Sequence, residues 1–393
     1  MNSPLPQRHY GLDWLRIAAF AILILYHIGM VFVPWGFHVK LPGADWTTVP
    51  MLASAPWRLS LLFVVSGYAS RALHRRGGRT AAFAANRTSR LIVPLIFGIA
   101  VVVPPQSWVE LVTKHAYAGS FATFWTHDYF RFSTLAGIVL PTWNHLWFVL
   151  YLWLYTMLLV VVLAIAPAGL RNAAQMAFSR IFTGTRALLL PMAWLIVVST
   201  LLFPGVGETH ALFGDWVAHA IYLPAFLFGF AMAAAPGTLA TFARLWKPAA
   251  AMALVAYAIV AGIELNWPVQ TMPQPWGRIF SIARGVEGWA AIAALIGIAE
   301  TFLNRDHPAR AMLTEAVFPF YIIHQTIIVM VAYWLIPAAL PPFVNFAVLI
   351  VATVAGCWAF YLIGRAIPWA RPLIGLRRKA RPRIAPTKPA LAH

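Results

Sequence analysis

The sequence predicts an all-α fold: a polytopic integral membrane protein of about ten transmembrane helices, with both termini in the cytoplasm. Three observations carry this reading. Of 393 residues, 61% are hydrophobic and only 10% are charged, where a soluble globular chain carries about 25% charged residues. Ten apolar stretches are long enough to cross about 30 Å of hydrocarbon. The Lys and Arg residues fall in alternate loops between those stretches, as the positive-inside bias requires.

The apolar stretches lie at 13–34, 50–72, 91–107, 145–166, 187–204, 215–235, 248–265, 281–303, 316–336 and 343–367. The first exceeds the apolar core of about 7–15 residues in a cleaved leader and lacks a small-residue cleavage site. The second leads into the most basic loop, with Arg71, Arg75, Arg76, Arg79, Arg87 and Arg90. Arg171, Arg180 and Arg186 follow the fourth stretch, Arg244 and Lys247 the sixth, and Arg305 and Arg310 the eighth. The tenth ends before Arg377, Arg378, Lys379, Arg381 and Arg383. All these segments are assigned to the cytoplasm; ten spans preserve the alternation, whereas nine or eleven break it.

Residues 1–370 read as one membrane domain, and 371–393, rich in Pro, Arg and Lys, as a disordered basic tail. The longest external loop, from about 108 to 144, mixes Trp108, His115, Trp125 and His127, and leads into Trp143 and His145. Such amphipathic aromatics suit a segment lying at the interface and roofing a cavity. No internal repeat of the secondary-transporter kind is visible. The net charge of +18 is dispersed in short interhelical clusters, a pattern of topology and anionic-lipid contact rather than of nucleic-acid binding. The single cysteine, Cys357, excludes an intramolecular disulfide.

Ionisable groups at membrane depth are costly and mark sites by default. The first stretch carries Arg16 and, eleven residues on, His27. Three helical turns separate them, so both project from nearly one face, roughly 16 Å apart along the axis. Asp13 shares the cytoplasmic end with Arg16. Arg87 and Arg90 are three apart on one side of a turn, equally readable as topogenic charge or as a bidentate phosphate site. Arg75, Arg76 and Arg79 read as topogenic charge alone. His324 lies about 15 Å into the ninth stretch, and His145 opens the fourth at the outer face. Ser66, beside Gly67, reads first as a close-packing residue. Glu264, Glu287 and Glu315 read as capping or loop residues. No Walker loop, dinucleotide fingerprint, HExxH or nucleophile elbow is present, and the histidines lack metal-ligand spacing.

In order along the chain, these elements resemble the membrane-bound acyltransferase family 3, whose members have about ten spans, an Arg-x10-His motif in the first helix and an Arg-x-x-Arg motif opening the third. Here those are Arg16 with His27, and Arg87 with Arg90. Leu12-Asp13-Trp14-Leu15-Arg16, Phe63-Val64-Val65-Ser66-Gly67-Tyr68, His145-Leu146-Trp147-Phe148 and Tyr321-Ile322-Ile323-His324-Gln325 extend the match to about residue 367. The run from Tyr26 to Trp35 is most similar to the branch with the glucan-succinylating proteins of bacterial envelopes. The resemblance implies acyl transfer in a bacterial inner membrane, from cytoplasmic acyl-CoA to a hydroxyl of an envelope carbohydrate, with no tightly bound cofactor and no metal. It implies His27 and His324 as catalytic residues. It implies Arg16, Arg87, Arg90, Asp13, His145, Trp147, Tyr321 and Ser66 as substrate-binding residues. A proton-coupled transporter of a small anionic or sugar-like solute explains the buried histidines too, but gives Arg87 and Arg90 no task. A lipid-binding structural or sensor protein explains the basic loops but not the histidines.

Overall fold

The computed structural model describes residues 9–43, 47–77, 79–267 and 272–378, and most of them are helical. Helix α1, Tyr10–Gly29, buries Leu12, Leu15, Ala19 and Leu23, the spacing of a single helical face. Its far end is closed by Lys40, whose Nζ donates to the Met30 and Val33 carbonyls at 2.7 Å each. These are carbonyls that a helix end leaves without a partner.

The stretch read as 50–72 is broken. A short helix α2, Thr48–Leu52, precedes a turn containing Pro56, and α3 runs over Arg58–Gly77. The stretch near 91 lies inside a longer helical run, α4 (Thr80–Phe97), a π-helical segment (Gly98–Val102) and α5 (Pro104–His115). Its first turns hold Ala81, Ala82, Ala84 and Ala85, good helix formers, but the polar run Asn86-Arg87-Thr88-Ser89-Arg90 follows them, so a hydropathy reading starts too late. The outer segment then forms one short helical turn, α6 (Phe121–Thr123), and an antiparallel hairpin of β1 (Ser133–Leu135) and β2 (Ile138–Leu140). This hairpin departs from the all-α expectation. Its turn residues, Ala136 and Gly137, both have positive φ (48° and 83°), as a two-residue hairpin loop demands. The segment rests on the π-helical backbone, with Trp125 Nε1 on Ala100 O (2.9 Å) and Tyr129 OH on Ile99 O (2.8 Å).

Helices α7 (Trp147–Ile165), α8 (Ala168–Ile181) and α9 (Arg186–Val197, prolonged by a π-helical turn to Leu202) follow, α8 bent by 100° from α9. Then come α10 (Trp216–Met232), α11 (Pro236–Asn266), α12 (Trp276–Phe302), α13 (Pro308–Leu335) and α14 (Pro342–Ala366). Asp215 caps α10 by accepting from Ala218 N (3.0 Å), and also holds the Thr209 and His210 amides. Helices α3 and α10 touch backbone to backbone. A Cβ on Gly67 would sit 1.9 Å from Phe226 O, and one on Gly229 1.9 Å from Val64 O, the small-residue contact by which membrane helices pack.

Every apolar stretch falls on a helix. Seven of these helices are long and apolar enough to cross a membrane, and the α8–α9 pair qualifies as one bent span. The protein is thus an integral membrane protein. Helix α10 is only 17 residues long, and α3 carries Arg71, His74, Arg75 and Arg76 in its last turns. The chain also stays folded beyond residue 370. Arg371–Ile374 forms a 3-10 turn, Arg371 is buried, and Gly375 packs on Phe318. The boundary at 370 therefore falls too early; residues 379–393 lie outside the described part.

Candidate functional site

Helices α1 and α13 run side by side, and each carries a histidine roughly 25 Å from its first residue. His27 Nδ1 and His324 Nε2 are 3.1 Å apart. His324 Nδ1 faces the Tyr321 and Phe320 carbonyls at 2.8 and 3.2 Å. Carbonyls only accept, so His324 carries its proton on Nδ1, and its Nε2 lone pair accepts from His27 Nδ1–H. The lone pair of His27 is then on Nε2. His324 is buried and His27 partly accessible, so the ring whose Nε2 is left over from this pair is the more accessible one.

His145 stands in the 3-10 turn before α7, its ring 5.1 Å from that of His324. It donates from Nε2 to Ile322 O (3.0 Å), and its carbonyl accepts from Tyr321 OH. Buried Gln106 of α5 ties the group together. Its Nε2 reaches Thr326 Oγ1 (2.7 Å) and lies 3.5 Å from His145 Nδ1, while its Oε1 accepts from Gln325 Nε2 (3.0 Å) and Asn144 Nδ2 (3.1 Å). Gln325 also donates to His38 Nε2 (3.0 Å), and His38 Nδ1 donates to Glu110 (2.6 Å). The polar chain thus runs from the histidines to the roofed end. Among the described residues, no group of three or more His, Cys, Asp or Glu is arranged to hold a metal ion.

Arg58, the first residue of α3, stacks 3.3 Å over the Tyr26 ring. It is 8% exposed, and its Nε and Nη1 have no hydrogen-bond partner among the described residues. Its charge acts on both His27 and Tyr222. Buried N–H groups without partners are rare and ask for an explanation. Nearby, Trp147 stacks on His210 (4.1 Å, 13°), and Tyr222 OH reaches both Glu208 oxygens (2.9 and 2.7 Å).

Sequence reasoning missed Arg58, Gln106, Gln325, His38 and Glu208. Arg58 had a signal: it is an ionisable residue inside an apolar stretch, on the side otherwise poor in arginine. Glu287 is a correction of another kind. It is buried in mid-α12 with neither oxygen partnered among the described residues, so it caps nothing. Glu315 accepts from Tyr361 OH and pairs with Arg365, each at 3.0 Å.

At the Arg-rich end, Arg16 of α1 and Arg87 and Arg90 of α4 lie close enough for their charges to repel one another. Arg377 adds to the field at Arg90, whose Nη2 donates to Gly375 O (3.3 Å). Arg87 Nε is buried with no hydrogen-bond partner among the described residues. Asp13 stands apart in an ion pair with Arg310 (2.8 Å), which also holds Asp306 (2.7 Å) and so fastens the start of α1 to that of α13. Ser66 lies on α3 next to Gly67, at the α3–α10 contact, with its carbonyl accepting from Ser70 Oγ (2.8 Å).

No curated protein and no solved structure matches this chain. The model of the acyltransferase domain matches over residues 9–362, nearly the whole of the described fold. The chain therefore belongs to the acyltransferase 3 family and is a membrane acyltransferase.

Proposed function

We propose that the protein moves an acyl group from cytoplasmic acyl-CoA to a hydroxyl of an envelope carbohydrate, in the cytoplasmic membrane of a bacterium. In this reading all ten apolar stretches are spans, and the Arg-rich end and both termini face the cytoplasm, which the Arg and Lys alternation supports. The three guanidiniums at that end bind the phosphates of CoA. The pantetheine arm is similar in length to the Arg16–His27 separation of roughly 16 Å, so the thioester reaches His27.

The observation that carries the reading is the His27 Nδ1 to His324 Nε2 bond at 3.1 Å. It leaves His27 Nε2 to take the proton of the acceptor hydroxyl as that oxygen attacks the thioester carbonyl carbon. The carbonyl electrons move onto oxygen, and the unanswered N–H groups of Arg58 donate to that oxyanion. The carbonyl then re-forms, the C–S bond breaks, and the sulfur leaves with the proton returned from Nε2. His324 positions the base, and its lone pair supports the imidazolium. The Tyr26–Trp35 pair, its rings 6.3 Å apart, and Trp147, stacked on His210, are aromatic surfaces that suit a sugar ring. A succinyl donor and a glucan acceptor belong to the branch that the run from Tyr26 to Trp35 resembles.

A second reading, a proton-coupled transporter, is favoured by the polar chain from His145 to Glu110, but leaves the arginine cluster without a task. The test uses the purified full chain in phosphatidylcholine nanodiscs with labelled acetyl-CoA or succinyl-CoA and a glucan acceptor. Acceptor-dependent release of CoA is expected. Solute flux in proteoliposomes with no release of CoA from either donor overturns the enzyme reading.

A further inference from the structure

A groove of about 810 Å³, which none of His27, His145 and His324 lines, opens between α3, α7, α8, α9 and α10. This lies within the usual volume of a small-molecule site, roughly 300–1,000 Å³. Its walls are apolar, with Val162, Leu190, Trp194 and Phe228 among them. Only its ends are polar.

At one end stand Arg71 and Arg171. Arg71 lies 4.7 Å over the Phe230 ring and donates to Gln175 (3.3 Å), while Arg171 donates to Leu163 O (2.9 Å). A guanidinium carries five N–H donors, so both retain unused ones. At the other end is Ser60, which is buried and whose hydroxyl has no partner among the described residues. Eleven residues of α3 separate Ser60 from Arg71, roughly 16 Å. That is half of the roughly 30 Å thickness of a bilayer's hydrocarbon. With the arginine-rich ends cytoplasmic, as in the function proposed above, the groove spans about one leaflet, cationic where headgroups lie and apolar where acyl chains lie.

We propose that this groove binds one anionic glycerophospholipid, its phosphate on Arg71 and Arg171 and an acyl chain along α7, α9 and α10. Charge chooses this occupant over a zwitterionic lipid. The bent helix α8 contributes both Arg171 and the apolar Ala174 to the site. His27 does not line the groove, so the lipid is a bound companion of the fold and not a reactant.

Native mass spectrometry of the full chain from nanodiscs of mixed phosphatidylglycerol and phosphatidylcholine tests this without reference to catalysis. The wild type retains one phosphatidylglycerol in preference to phosphatidylcholine. The Arg71→Gln/Arg171→Gln double variant loses that retention by roughly tenfold or more. Ala174→Trp fills the groove without touching either charge and lowers retention too, which covers the case of an unstable double variant. Equal retention of the two lipids by wild type, or unchanged retention in Ala174→Trp, overturns the proposal. So does a dimer that dissociates with Ala174→Trp, because the groove would then seat a second copy.

Discussion

Two regions at opposite ends of one helix are built on contrary principles. At the far end of α1, His27, His324, His145, Gln106 and Gln325 answer one another's hydrogen bonds inside a buried network. At the near end, Arg16, Arg87 and Arg90 face one another with like charge, and Arg87 Nε is unanswered. Arg58 apart, the hydrogen bonds of the first region are made among its own groups, so the geometry of its histidines is set before substrate arrives. In the second, an entering anion would relieve the repulsion among like charges. Under the proposed function the first region serves chemistry and the second binding, so substitutions in the two should fail differently.

The largest effect is expected at His27. His27→Ala and His27→Gln should keep expression, thermal stability and CoA binding while losing transfer by at least about a hundredfold, the lower end for general-base catalysis. Normal turnover by a folded His27→Ala protein would remove the base. His324→Gln, which retains an acceptor for His27 Nδ1–H, should lose less. Arg58→Gln comes next, with a drop in kcat of about a hundredfold to a thousandfold and little change in KM for acyl-CoA. An effect confined to KM would make Arg58 a binding group instead.

The arginine cluster should show the opposite signature. Arg87→Ala should weaken CoA binding by roughly tenfold or more, and Arg87→Lys should rescue it only in part, since a point charge lacks the planar fork. CoA at a hundred times its Kd should stabilise the wild type by about 2.7 kcal/mol, and an Arg87→Ala/Arg90→Ala variant should lose most of that gain. Equal CoA affinity in that variant and in wild type would break the comparison.

The smallest effect concerns Lys40, beyond the far end of α1. Burial, and then the charge of Lys114, push its ammonium from 10.5 down to about 8. Between about pH 8 and 10.5 the unfolded chain therefore binds more protons at this position than the folded one. Stability from this group should rise with pH across that window, and Lys40→Met should flatten the slope of Tm against pH. An unchanged slope would mean that Lys40 ionises normally.

Much of the architecture was legible because hydropathy reports it directly: each apolar stretch falls on a helix. The extents were less legible. Residues 80–90 are helical through propensity and not through hydropathy, Pro56 breaks the second stretch, and Arg371 folds back where composition alone reads disorder. The site was legible only one helix at a time. His27, His324, Arg87 and Arg90 announce themselves as charges out of place, but Gln106 and Gln325 are ordinary amides until α5 meets α13. Their importance lies in a contact between residues 219 positions apart, which no local pattern encodes. Asp13 was legible as a charge but not in its attachment, since Arg310 is nearly three hundred residues away.

The π-helical segment at Gly98–Val102 makes the helix that contains it a ruler. Its irregular backbone offers Ile99 O and Ala100 O to the roof and Val102 O to Thr326, while α5 beyond it aims Gln106 and Glu110 into the histidine network. A π turn holds one residue more than an α turn. Adding or deleting a residue in the regular turns on either side of it would rotate everything after it by about 100°, carrying Gln106 away from Gln325 and Glu110 away from His38. Side chains along this segment are therefore exchangeable to a degree that its length is not. The number of residues between Arg90 and Gln106 is as much a part of the site as either residue.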